Sequence, residues 1–150
     1  MSRAFVKETD DVEALPDRPV SEHPNYVTAA GLALIDAELV RLHAALAEAG
    51  DDRGQRSAVE RDLRYWRARR ASAEVIPPPV DTREVRFGST VTIARDDGRE
   101  QTWRIVGEDE ADPAEGTLPY AAPLARALIG KAVGDTVQVA GGEAEVVSIG

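Results

Sequence analysis

Three groups of side chains in this 150-residue chain have the types and spacing to do chemistry. Asp51 and Asp52 stand side by side in a short polar turn, Gly50-Asp51-Asp52-Arg53-Gly54-Gln55. Adjacent carboxylates are the hard oxygen donors that Mg²⁺ accepts, together with phosphate and water, and they are also the ordinary composition of a solvated turn. Arg61, Arg64 and Arg67 recur at helical spacing around Tyr65-Trp66. Arginines interleaved with aromatic rings suit single-stranded nucleic acid; they equally make a solvated helix face with Trp66 turned inward. Glu108, Asp109, Glu110 and Asp112 form an acidic loop, which is solvated or meets a basic partner surface more often than it holds a metal. The chain has no cysteine, and His23 and His43 are too few and too far apart for a zinc site.

The elements that must position these groups follow from periodicity. Residues 1–24 carry Pro16, Pro19 and Pro24 with no apolar period and read as a flexible lead. From Thr28, a plausible helix cap, Leu32, Ile35, Leu39, Leu42 and Leu46 alternate in steps of three and four, the seam of a two-helix coil. Gly50 stops that helix. A second pattern from about Gln55 to Val75 places Val59, Leu63, Trp66 and Ala73 on one stripe, with Arg70 interrupting it, and Pro77-Pro78-Pro79 ends it. Two helices of ~20 residues joined by a short turn must pack antiparallel, giving an arm of roughly 30 Å. The expected organisation is a helical coiled-coil hairpin over 25–76 with its tip at about 50–55. A Pro-rich linker follows over 77–83, then a C-terminal domain over 84–150.

Within that domain the period becomes two. Val85, Phe87, Ser89, Val91 and Ile93 alternate with polar partners, Asp97-Gly98 signals a hairpin, and Thr102 to Val106 is the returning strand. Pro123 to Ile129 predicts a short helix, and Thr136–Ala140 and Glu143–Ile149 predict two strands around Gly141-Gly142. The fold class is therefore α+β, with a small antiparallel sheet and one short helix after the helical hairpin.

Composition narrows the functions. The net charge of −9 disfavours specific duplex DNA binding, which needs a basic face. Acidity is concentrated in residues 1–30 and 80–150, whereas 31–79 is balanced and locally basic around Arg61 to Arg70. No apolar run reaches the ~20 residues of a membrane span and no apolar signal core opens the chain, so a cytoplasmic, membrane-free protein is expected. No catalytic triad, phosphate-binding glycine loop or self-sufficient metal site is visible, so an accessory factor rather than an enzyme acting alone is expected.

The run RIVGEDEADPAEGTLPYAAPLARALIGKAVGDTV, Arg104 to Val137, resembles the signature of the bacterial Gre transcript-cleavage factors: a strand ending in IVG, an EDEAD-like loop and SPIARALIGKxVGD. Asn25-Tyr26-Val27-Thr28-Ala29-Ala30-Gly31-Leu32 is similar to the lead into that family's first long helix, and Met1 to Glu8 leans toward its GreB members. The resemblance implies an FKBP-like C-terminal domain that docks on RNA polymerase, with Asp109, Glu110, Asp112, Pro123, Leu124 and Arg126 as partner-binding residues. It also implies a hairpin that enters the polymerase's secondary channel. Asp51, matching the family's tip Asp, and the neighbouring Asp52 would help hold a Mg²⁺ shared with the polymerase active site; the chain needs no cofactor of its own. Arg61, Arg64 and Arg67 would contact polymerase or the nascent RNA 3′ end, and a monomer is expected.

Departures from the family pattern leave two versions of that function open. Gly54 stands where the family's tip carries Glu, and Ala122 replaces the serine before Pro123, losing a helix cap worth about 1 kcal/mol. The arm is also about one heptad shorter per helix, a loss of roughly 10 Å in reach, whereas metal ligation tolerates only tenths of an ångström. One version stimulates transcript cleavage. The other occupies the channel without donating a competent ligand, as in short-armed relatives such as the regulator of nucleoside diphosphate kinase group. A reading from another class is an FKBP-like peptide-binding or prolyl isomerase module, for which the domain offers only Phe87, Trp103 and Tyr120 as pocket aromatics.

Overall fold

The computed structural model describes residues 15–150. The resemblance noted at Met1 to Glu8, and the lead as far as residue 14, lie outside the described residues. The described chain divides into two compact units. One contains residues 33–72 with residues 15–24, and the other contains 25–32 and 73–150.

Helix α1 spans Ala29–Ala49 and α2 spans Arg53–Ser72. Along α1, Ile35, Leu42 and Ala49 are buried and Leu32, Leu39 and Leu46 are half-buried. Gly50, at φ +54°, supplies the left-handed residue that ends α1 and lets the chain reverse within three residues. Asp36 of α1 and Arg70 of α2 then meet at 2.7 Å. Leu63 is the buried apolar residue of α2, while Val59 and Trp66 are half-buried. The charge that interrupts this stripe is Arg69, only 1% exposed, and not Arg70, which lies outside in its pair with Asp36.

The second unit holds two sheets. Strands β1 (Tyr26–Val27) and β2 (Glu74–Val75) pair in parallel, closed by hydrogen bonds from Glu74 N–H to the Asn25 carbonyl and Ile76 N–H to the Val27 carbonyl, both 2.9 Å. Two-residue strands have no period, and this pairing was not foreseen. Residues 25–32 and 73–76, at the two ends of the helical segment, belong to the second unit.

The larger sheet contains β3 (Thr90–Arg95), β4 (Glu100–Val106), β5 (Thr117–Pro119), β6 (Thr136–Val139) and β7 (Gly142–Ile149) in the order β5-β4-β3-β7-β6. It is mixed, not antiparallel throughout, because β5 lies parallel to β4 with Ile105 opposite Leu118. The 3-10 turn Pro113–Glu115 between them permits this short crossover. The expected strand at Val85–Ser89 is also absent. Val85 is instead tied to the chain beyond the short helix α3 (Pro123–Leu128), its N–H to the Lys131 carbonyl and its carbonyl to Gly130 N–H, both 2.8 Å. The expected Asp97-Gly98 and Gly141-Gly142 turns both form, the latter with φ of +90° and +120° that glycine alone adopts readily.

Alternate residues of the sheet build the core. Val91, Ile93, Ile105, Leu118, Val137, Ala144 and Val146 pack with Ala125 and Leu128 of α3. Among the described residues no helix is long and apolar enough to cross a membrane.

Candidate functional site

Helix α3 builds one wall of an apolar groove in the second unit. Pro123 occupies its first turn, where the missing N–H has no partner to lose, and Arg126 N–H bonds the Ala122 carbonyl at 2.9 Å. Ala122 makes no side-chain cap bond, as its methyl dictates. With Ala125 and Leu128 locked into the core, the same helix leaves Leu124 half-buried and Pro123 and Arg126 exposed.

The groove, about 580 Å³, runs between Ala122-Pro123-Leu124 and the end of β6, Gln138-Val139-Ala140. Leu118 and Arg95 complete its lining. Arg95 Nε donates to Gln101 Oε1 at 2.9 Å, which holds the single charged side chain of the lining along the sheet. The site thus combines an apolar slot with one fixed cation, suited to an apolar partner segment carrying an acceptor or carboxylate. Of the candidate partner residues, Pro123 and Leu124 line this groove; Arg126 does not, although it sits on the same helix. Sequence reasoning missed Arg95, Leu118 and the β6 end, which lie on other strands and share no local pattern with Pro123.

The acidic loop does not join them. Glu110 turns inward: its carboxylate accepts the Thr28 N–H at 3.0 Å, the Thr28 hydroxyl, and the Gly107 N–H at 3.2 Å. Thr28 Oγ1 in turn accepts Gly31 N–H at 3.0 Å, so the expected cap of α1 is present and Glu110 reinforces it. Gly31 leaves room for this contact, since a Cβ there would fall 2.2 Å from a Glu110 oxygen and displace the carboxylate. Glu110 therefore ties the start of α1 to the acidic loop within the second unit. Asp112 caps the 3-10 turn, its carboxylate accepting Ala114 N–H at 3.1 Å, although it remains exposed. Asp109 is half-buried.

At the turn between the helices the two aspartates separate in role. Asp52 Oδ1 accepts Gln55 N–H at 3.1 Å, making Asp52 the cap of α2. Asp51 is exposed, and Arg56 reaches back to the Gly50 carbonyl at 3.2 Å. Among the described residues no three His, Cys, Asp or Glu side chains converge to hold a metal.

Arg61, Arg64 and Arg67 lie along one flank of α2. Arg61 contacts Asp62 at 3.3 Å and Arg67 is exposed. Arg64 meets Asp17 at 2.5 Å, and Tyr65 packs edge-on against Trp66 with centroids 5.2 Å apart. The second unit carries a different ring cluster, Tyr26, Phe87 and Tyr120, with centroids 5.3–6.2 Å apart.

A family model described as "Transcription elongation factor, GreA/GreB, C-term" matches residues 80–149. Transcription elongation factor GreA of Cereibacter sphaeroides (strain ATCC 17025) is 38% identical, covering 82% of this chain and 95% of that one. Transcription elongation factor GreB of Neisseria meningitidis serogroup B is 34% identical, covering 78% and 85%. Transcription elongation factor GreA of Alkalilimnicola ehrlichii is 45% identical over 98 residues, and the alignment spans 62% of that relative's length.

Proposed function

Because this chain belongs to the GreA/GreB family of transcription elongation factors, we propose that it binds RNA polymerase through the Pro123-Leu124 groove and modulates backtracked or paused complexes. The observation that carries this reading is the groove itself. It lies within the family-matched residues 80–149 and pairs an apolar slot with the fixed Arg95. In this reading the second unit is an FKBP-like docking domain, and α1 and α2 form a coiled-coil hairpin directed into the secondary channel. The α2 flank of Arg61, Arg64 and Arg67 then faces the displaced RNA 3′ end.

The tip favours channel occupancy without completion of a metal site. Asp52 uses its Oδ1 as the cap of α2, Gly54 offers no side chain where the family carries Glu, and both Asp51 and Asp52 are exposed. With the family's tip Glu replaced by Gly54 and the arm about one heptad shorter per helix, the near-ideal octahedral geometry that Mg²⁺ demands is not met. The test is RNA cleavage by halted, backtracked complexes of the cognate polymerase. With this protein added, cleavage should not rise, and the cleavage that an authentic Gre factor stimulates should fall as this protein competes for the polymerase. Cleavage that rises with the wild-type protein and not with Asp51→Ala would establish a metal-donating tip instead. Absence of both cleavage and competition would remove polymerase as the partner.

A further inference from the structure

The short stretch Leu15–Arg18 is laid along one flank of α2. Asp17 Oδ1 accepts from Arg64 Nε at 2.5 Å, and the Leu15 carbonyl lies 3.5 Å from a terminal nitrogen of the same guanidinium. Arg18 stacks its guanidinium 3.9 Å from the centre of the Tyr65 ring and reaches Asp62 at 3.4 Å. Residues 61, 64 and 65 stand three and four apart on the helix and so form one continuous strip.

The chemistry of these contacts copies a nucleotide. An anion sits on Arg64, where a phosphate would be held, and a flat delocalised group sits on Tyr65, where a base would stack. We propose that Leu15–Arg18 is an intramolecular strap over a single-stranded RNA subsite made by Arg61, Arg64 and Tyr65. Asp17 takes the phosphate position and Arg18 the base position, and RNA must displace both to bind. The proposal rests on the reading that this flank faces RNA, and it adds Tyr65 as the stacking residue.

The strap is displaceable. Its ion pairs are open to water, with Arg64 and Asp17 side chains 47% and 70% exposed, so each contact is weak and screened by salt. Tethering to the same chain compensates by keeping the local concentration of the strap high.

The experiment measures binding of a fluorescent oligouridine to the full chain by anisotropy at low salt. Four forms are compared: wild type, Asp17→Ala/Arg18→Ala, Arg64→Ala and Tyr65→Ala. The double substitution removes one charge of each sign, so the net charge of −9 is unchanged and long-range attraction is held constant. It should tighten binding by about 3- to 10-fold, the release expected from one exposed ion pair plus one cation–π contact. Arg64→Ala and Tyr65→Ala should each weaken binding. If Arg64→Ala weakens binding while Asp17→Ala/Arg18→Ala leaves it unchanged or weaker, the strap is overturned and the RNA flank stands. If Arg64→Ala has no effect, the RNA flank is overturned and the strap with it.

Discussion

Replacing Glu110 by alanine tests whether this residue holds the fold or meets a partner. Its carboxylate accepts two backbone N–H groups, from Thr28 and Gly107, and the Thr28 hydroxyl. Thr28 is 5% exposed and Gly107 is buried, so water cannot readily replace the acceptor. Each buried donor left unsatisfied costs about 1–3 kcal/mol. The sum for two donors, discounted for partial relaxation, is about 3 kcal/mol. For a chain of this size that lowers Tm by roughly 10 °C. Thermal unfolding followed by circular dichroism reads this directly. Glu110→Gln keeps one acceptor oxygen and should lose about half as much. Gly31→Ala forces a Cβ to 2.2 Å from the same carboxylate and should destabilise without adding fully to Glu110→Ala, because both act on one contact. An unchanged Tm for Glu110→Ala, accompanied by weaker polymerase retention, would refute the anchor and return Glu110 to the docking face.

Other substitutions separate scaffold from site. Leu63→Ala removes the buried apolar side chain of α2 and should cost about 2–3 kcal/mol in urea unfolding, since a thin helical pair has few neighbours to refill the space. Asp52→Ala should cost about 1 kcal/mol through loss of the α2 cap, whereas Asp51→Ala should leave the unfolding midpoint unchanged. Leu124→Arg should abolish retention on immobilised RNA polymerase with little change in Tm, because the new side chain can extend into water while its charge blocks the apolar slot. Asp81 is held well below the usual carboxylate range by the Arg83 guanidinium and backbone N–H. Its charged form is thus favoured in the fold, and any stabilisation it gives is present above the ordinary carboxylate pKa and lost only as pH falls through the depressed one. An NMR titration should show the Asp81 carboxyl ionised below the ordinary carboxylate range, and Arg83→Ala, which keeps the backbone N–H, should move it part of the way back.

Local pattern was enough to determine the helices, their turn and most of the sheet. The three-four spacing of Ile35 and Leu42, the Gly50 stop, the Asp97-Gly98 and Gly141-Gly142 turns and the Pro123 helix start each depend on residues within a few positions of one another. The family signature over Arg104–Val137 likewise lies in one contiguous run. Tertiary structure decided everything that depends on partners distant in sequence. Arg69, not Arg70, is the buried arginine, because the packing of α2 rather than the average helical period sets which residue turns inward. Glu110 became an anchor because Thr28, 82 residues away, presents its N–H and hydroxyl to it. Val85 left the sheet because Gly130 and Lys131 took its backbone hydrogen bonds. The groove needed Arg95, Leu118 and Val139 brought beside Leu124 from three strands, and Asp17 needed α2 before it could find Arg64. A sequence records which groups can pair; only the folded chain selects among them, because each acceptor and each apolar face takes the partner that geometry places within reach.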